Sequence, residues 1–123
     1  MFNEYESSGK HMICDFKGIQ NIELLNNFYE LNLLLKDICQ NNDFQILNAV
    51  EYKFEPIGCS IIFLLSESHL SIHTFPEKNH MSFDLYTCRQ YKDNEVYNNI
   101  YKFLVDKLKA SPNSLCKIID RFF

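Results

Sequence analysis

One stretch of twelve residues constrains this chain more than any other: S-E-S-H-L-S-I-H-T-F-P-E, from Ser66 to Glu77. Successive side chains of a β-strand point to opposite faces, so the stretch predicts one apolar face and one polar face. The polar face would carry His69, Ser71, His73 and Phe75, and the other face Leu70, Ile72 and Thr74. Two imidazoles and a hydroxyl on one side favour a chemical role, although a merely polar sheet face is the alternative reading.

The stretch resembles the processing site of the bacterial and archaeal S-adenosylmethionine decarboxylases, which are pyruvoyl-dependent enzymes that cleave themselves. The family pattern is Glu-Ser-His, then His-Thr-aromatic-Pro-Glu, then Thr-Cys. Residues 67–69, 73–77 and 87–88 meet it without a gap. Weaker matches at residues 9–11 and at Phe54, Pro56, Gly58 and Ser60 extend the resemblance over most of the chain.

This resemblance implies self-cleavage between Glu67 and Ser68. The Ser68 hydroxyl would attack the Glu67 carbonyl carbon in a strained turn and form an ester. A base, which the family position assigns to His73, would then remove the Ser68 α-proton. The products would be chains 1–67 and 68–123, the second beginning with a pyruvoyl group derived from Ser68. That covalent cofactor would form a Schiff base with the substrate and would need no metal.

The resemblance also assigns residues to the substrate. Cys88 would donate the proton that replaces the departing CO2. Phe54 and Phe75 would offer aromatic faces to S-adenosylmethionine, while Glu77 would accept hydrogen bonds from its ribose. Ser60 would assist processing or orient the substrate. For both phenylalanines, core packing is the alternative.

Some positions depart from the family pattern and leave other functions open. Residues 78–82 differ from the usual segment, and Arg89 stands where Gly is common. The same chemistry on arginine or ornithine is one alternative, with Asp84 as the extra carboxylate. A non-catalytic regulatory member is another. A metal site of His69, His73 and Cys88 is a minor idea, since it lacks a clear further ligand.

Length and charge exclude several classes of function. A chain of 123 residues suits one domain with a packed core, and its net charge of −4, with scattered basic residues, argues against a nucleic-acid partner. No apolar run approaches the roughly 20 residues of a membrane span, and the N-terminus does not resemble a signal peptide. The five cysteines are odd in number and lack C-x-x-C spacing, so we expect reduced thiols in a cytoplasmic protein without a membrane partner.

Hydrophobic periodicity places the elements around the motif. It predicts strands at residues 11–16, 44–54 and 59–65, then the motif strand, its hairpin partner at 81–88, and a last strand at 115–122. Helical spacing covers residues 21–40, as one helix or as two with a break near Asn26 and Asn27, and again about 93–109. Residues 1–8 are expected to be loose.

This order of elements predicts an α+β fold for a single domain, residues 1–123. We expect a two-layer sandwich, in which a mostly antiparallel sheet carries two helices on one face. The other face of the sheet then has no element of the chain left to pack against it. We therefore expect a homodimer whose two sheets face each other, and the resembled family implies the same arrangement with the active site near the interface.

Overall fold

The structure is a computed structural model and describes residues 5–123. Within these described residues, six strands and three α-helices follow one another: β1 (Ser7–Phe16), α1 (Ile22–Leu25), α2 (Phe28–Asn41), β2 (Ile46–Lys53), β3 (Cys59–Leu65), β4 (Ser68–Phe75), β5 (His80–Thr87), α3 (Glu95–Leu108) and β6 (Leu115–Phe122). A single 3-10 turn, Pro76–Lys78, joins β4 to β5. The predicted α+β class is confirmed.

All six strands form one antiparallel sheet in the order β2-β3-β4-β5-β1-β6. Residues that lie opposite each other in such a sheet share a face. The face beneath the helices holds the core, which includes Met12, Phe16, Ile61, Phe63, Leu70, Ile72 and Leu85. The predicted alternation of β4 is confirmed, because Leu70, Ile72 and Thr74 are buried whereas His73 and Phe75 are exposed.

Asparagine side chains begin the first two helices. Asn21 accepts a hydrogen bond from the backbone N–H of Leu24, and Asn27 accepts one from that of Glu30. Such caps satisfy backbone donors that have no partner inside the helix. Of the two alternatives for residues 21–40, two helices with a break near Asn26 and Asn27 is therefore the correct one, and the helical layer has three helices instead of the expected two. No helix among residues 5–123 has the length and apolar character to cross a membrane.

The second face of the sheet is rich in exposed apolar side chains, and no helix of residues 5–123 covers it. Ile62 is 41% exposed and Leu64 is 52% exposed, although both lie on an internal strand. Exposed apolar neighbours on the other strands include Ile13, Val50, Leu115 and Ile119. We call this surface the open face. Exposed apolar side chains that cluster on one face are typical of interaction surfaces.

Three strands have bounds that differ from the predicted ones. β1 begins at Ser7, so residues 7 and 8 are ordered in the sheet, and residues 1–4 of the predicted loose segment lie outside the described residues. β2 covers Ile46–Lys53 and leaves Phe44 buried in the preceding loop. β5 ends at Thr87, so Cys88 lies just past the strand rather than on it. Strands end where ladder pairing ends, which side-chain pattern alone does not reveal.

Candidate active site

The predicted cleavage site lies in the tight turn between β3 and β4. Ser66 and Glu67 form a two-residue hairpin turn, and Ser68 begins β4 opposite Leu65. Ser68 has a φ of 143°, a region that residues with a side chain rarely adopt. Such strain costs on the order of 1–3 kcal/mol and concentrates at functional sites. The bond that the motif marks for cleavage therefore adjoins a strained residue.

The carbonyl of Glu67 points at the chain just beyond β5. The backbone N–H of Cys88 donates a hydrogen bond to this carbonyl oxygen over 3.0 Å. A donor in this position polarises the carbonyl and can stabilise negative charge that develops on its oxygen during nucleophilic attack. The Cys88 side chain is exposed beside the same turn.

Gly9 keeps this part of the site compact. It has a φ of 111°, and a Cβ at this position would lie 1.9 Å from the Thr87 carbonyl oxygen and 2.7 Å from the Cys88 Cα. Only glycine tolerates both the backbone conformation and the close approach. The weak sequence match at Gly9 thus marks a position where β1 packs directly against Thr87 and Cys88.

The other predicted residues gather at the opposite end of the sheet. Ser60 and His73 face each other across β3 and β4, with 2.7 Å between Ser60 Oγ and His73 Nδ1. Phe54 follows β2 and is 46% exposed, while Phe75 ends β4 and is 40% exposed. Glu77 lies in the 3-10 turn, where its side chain is exposed. The alternative reading of both phenylalanines, core packing, is wrong.

The predicted residues thus form two groups. The cleavage end consists of Glu67, Ser68 and Cys88, and the far end consists of Phe54, Ser60, His73, Phe75 and Glu77. Ser68 and His73 are five positions apart on an extended strand, which corresponds to roughly 16 Å. His73 therefore does not reach the Ser68 of its own protomer.

A hydrogen-bonded network on the open face lies between the two ends. Asp84 Oδ2 lies 2.7 Å from His11 Nε2 and 3.0 Å from His69 Nε2, and the Ser71 hydroxyl donates to Asp84 Oδ1. Burial acts to raise the pKa of Asp84, but the hydrogen bonds from Ser71, His11 and His69 outweigh burial and lower it. The carboxylate is thus fully engaged by its own protomer. The sequence reasoning missed His11 in this role, because 73 residues separate it from Asp84.

The same network is the one place in residues 5–123 where three side chains with metal-ligating atoms converge: His11, His69 and Asp84. The minor idea of a metal site at His69, His73 and Cys88 fails, because His73 lies at the far end. Direct hydrogen bonds within the network account for its geometry. Arg121 Nη1 also lies 3.4 Å from His11 Nδ1. The positive charge of this guanidinium would repel a metal cation bound at the network.

An open depression of about 470 Å³ adjoins Phe75. Its lining also includes Lys17, Lys78, His80 and Ser82. Two lysines at its rim give this region a local positive charge. The aromatic face of Phe75 is meanwhile available for a planar group.

Comparison with known proteins agrees with this geometry. The family model described as S-adenosylmethionine decarboxylase matches residues 10–120. The chain is 36% identical over 116 residues to an S-adenosylmethionine decarboxylase proenzyme 2 of Bacillus cereus, with 94% of this chain and 91% of the relative covered. It is 34% identical over 111 residues to the S-adenosylmethionine decarboxylase proenzyme of Thermoplasma acidophilum, with 90% and 82% covered.

A solved structure supports the same fold. The crystal structure of the adenosylmethionine decarboxylase from Aquifex aeolicus superposes with a TM-score of 0.82 at 23% identity, over 96% of this chain and 93% of that one. At this level of identity the match establishes the fold alone. The family model and the two relatives cover nearly the whole chain, and we conclude that this protein belongs to the S-adenosylmethionine decarboxylase family.

Proposed function

We propose that this chain is a self-processing, pyruvoyl-dependent decarboxylase of S-adenosylmethionine that supplies the aminopropyl donor for spermidine synthesis. Its family membership and the proenzyme names of its relatives support this assignment. The observation that carries the assignment to particular residues is the strained Ser68 next to a Glu67 carbonyl that already accepts the Cys88 N–H.

The cleavage step follows from these atoms. Ser68 Oγ bonds to the Glu67 carbonyl carbon, its proton passes to the Ser68 nitrogen, and the peptide C–N bond breaks to leave an ester. The Cys88 N–H donates a hydrogen bond to the Glu67 carbonyl oxygen, on which negative charge develops during this attack. Loss of the Ser68 α-proton then expels the Glu67 carboxylate from Cβ. The remaining dehydroalanine tautomerises and is hydrolysed with release of ammonia. These residues therefore fit the formation of a pyruvoyl group at position 68.

The base for the second step must come from elsewhere, because His73 lies roughly 16 Å from the Ser68 of its own chain. We propose that a second copy of the protein provides it. The open face supports a homodimer, since its apolar side chains, Ile62 and Leu64 among them, would otherwise remain in water.

The two groups of site residues suit a symmetric dimer. In a two-fold dimer the same surface meets itself, so a residue at one end of the sheet can contact a residue at the other end of its partner. We place the two-fold axis between the two sheets and perpendicular to the strands. The cleavage end of one protomer then faces the far end of the other. Two equal sites result, each combining Ser68 of one chain with His73 of its partner.

The pyruvoyl carbonyl supplies the electron sink for decarboxylation. The chain's own residues position the substrate and move protons. We propose that Cys88 delivers the proton to the substrate carbon, because it directly follows Thr87, which pairs with Ser68, and its side chain is exposed. Phe54 and Phe75 would contact the adenine, and Glu77 would accept hydrogen bonds from the ribose hydroxyls.

One observation argues against arginine or ornithine as substrate. Asp84, the predicted extra carboxylate, is bound by three side chains of its own protomer. Intact Glu67, Ser68, His73 and Cys88 argue against a non-catalytic member.

The decisive experiment follows the purified protein by denaturing mass spectrometry and assays decarboxylation of S-adenosylmethionine, arginine and ornithine. We expect fragments 1–67 and 68–123, the second blocked by pyruvoyl, and activity on S-adenosylmethionine that persists with a chelator, since we propose no metal. We also propose the cytoplasm as the compartment, which suits five free thiols. A chain that stays uncleaved with Ser68 intact would contradict the proposal.

A further inference from the structure

The Arg89 guanidinium contacts a carboxylate, two backbone carbonyls and an aromatic ring. Its Nη2 lies 2.7 Å from Glu67 Oε1 and 2.6 Å from Glu67 Oε2, with the well-directed hydrogen bond going to Oε1. Its two terminal nitrogens also donate to the backbone carbonyls of Asn42 (2.7 Å) and Asp43 (2.9 Å). The guanidinium lies 5.0 Å from the centre of the buried Phe44 ring.

These contacts connect the two segments that the proposed cleavage would separate. Glu67 and the loop at residues 42–44 belong to the N-terminal segment, whereas Arg89 belongs to the C-terminal one. Arg89 directly follows Cys88, whose N–H binds the Glu67 carbonyl. Two consecutive residues thus hold Glu67 at two points, its carbonyl oxygen and its carboxylate.

We propose that Arg89 is a positioning residue for self-cleavage, and that its guanidinium holds Glu67 so that the carbonyl to be attacked stays against the Cys88 N–H. The inference rests on the proposed cleavage between Glu67 and Ser68. It assigns Arg89 a second task after the cut, which is to retain Glu67, now the last residue of the N-terminal chain, on the C-terminal chain.

Electrostatics explains why the turn needs this contact. The Glu67 side chain is only 26% exposed, and Arg89 is its one ion-pair partner among residues 5–123. A partly buried carboxylate without a cation is unfavourable, so loss of Arg89 would favour rotation of Glu67 towards water. Because Glu67 occupies half of a two-residue turn, such a rotation would move its carbonyl away from the Cys88 N–H. The attack geometry would be lost with it.

The shape of the guanidinium matters as well as its charge. The planar guanidinium donates hydrogen bonds to a carboxylate and to two backbone carbonyls at the same time. A lysine ammonium can make only some of these hydrogen bonds. A lysine at position 89 should therefore restore the ion pair but not the connection to residues 42 and 43. This difference gives the proposal a graded test.

The test measures the rate of self-cleavage of the full-length chain by intact mass, with thermal unfolding of each variant recorded in a Ser68→Ala background. We expect Arg89→Ala to cleave roughly tenfold to hundredfold more slowly than the wild type, and Arg89→Lys to lie between them. Millimolar methylguanidinium should raise the Arg89→Ala rate. The matched control is Leu108→Ala, which destabilises the buried core on α3 away from the turn and should cleave at nearly the wild-type rate.

The outcomes separate this inference from the proposed function. A wild-type chain that never cleaves overturns both. A wild-type chain that cleaves, with Arg89→Ala equally fast, overturns the role of Arg89 alone. Equal slowing of Arg89→Ala and Leu108→Ala, without rescue by methylguanidinium, would also overturn it, because stability would then explain the rate.

Discussion

Ser68 and His73 lie on the same strand, β4, but at its opposite ends. Extended geometry puts them roughly 16 Å apart, beyond the reach of an imidazole. Ser60 instead holds His73 at the far end of the sheet, with 2.7 Å between Ser60 Oγ and His73 Nδ1. If His73 is the processing base, it must therefore act on a second chain.

This geometry predicts complementation between two inactive variants. Chains carrying Ser68→Ala and chains carrying His73→Ala should each remain uncleaved alone. In a mixed dimer, the His73→Ala chain should be cleaved, because its intact Ser68 faces the intact His73 of the Ser68→Ala partner. Co-expression with two different affinity tags, sequential purification and intact mass would measure this. Mixed dimers in which the His73→Ala chain stays whole would contradict action between chains.

Replacing the thiol at position 88 should separate processing from decarboxylation. Cys88→Ala keeps the backbone N–H that binds the Glu67 carbonyl, so we expect self-cleavage to proceed. Decarboxylation should fall by about 10²- to 10⁴-fold, the usual contribution of a positioned proton donor. Intact mass and CO2 release on the same sample would test this. Full activity in the processed variant would remove the thiol from the mechanism.

The aromatic side chain at position 75 should matter for substrate but not for processing. Phe75→Ala removes an exposed ring from the far end of the sheet, and we expect kcat/KM for S-adenosylmethionine to drop about ten- to hundredfold. Cleavage should be unaffected, because the ring takes no part in the acyl shift. Tyr29→Ala, which removes an exposed ring from α2, is the control. Higher activity on ornithine or arginine than on S-adenosylmethionine would refute the substrate assignment.

The network around Asp84 predicts a pH-dependent contribution to stability. Its pKa is lowered below the ordinary 3.8 in the folded chain, so the carboxylate favours folding at pH above that value. This contribution is lost as the pH falls through the lowered pKa. We therefore expect Asp84→Asn to reduce the free energy of unfolding by about 1–3 kcal/mol at pH 7, with the difference shrinking in acid.

Urea denaturation in a Ser68→Ala background would measure this difference on a single uncleaved chain. Asp37→Asn, at an exposed site on α2, serves as the control and should show little change at either pH. A difference between wild type and Asp84→Asn that stays constant from pH 7 to pH 3 would mean that charge on Asp84 does not contribute.

Local pattern determined much of the fold. The bounds of β3 and β6 and the two faces of β4 are as predicted, because side-chain alternation and burial follow directly from strand geometry. The helix break also follows from short-range chemistry, because Asn27, directly before α2, accepts a hydrogen bond from the Glu30 N–H in the first turn of that helix. The family motif lies in this same local range, so the sequence alone was sufficient to identify the family.

Tertiary structure decided how the site is arranged. Arg89 meets Glu67 from 22 residues away, and His11 meets Asp84 from 73 residues away, through sheet register that no local pattern specifies. The division of the motif into a cleavage end and a far end also appears only once β4 is extended between its neighbours. Sequence determines which side chains share a face, because that depends on adjacent residues. Which ends of strands meet depends on long-range pairing, and only the folded chain determines that.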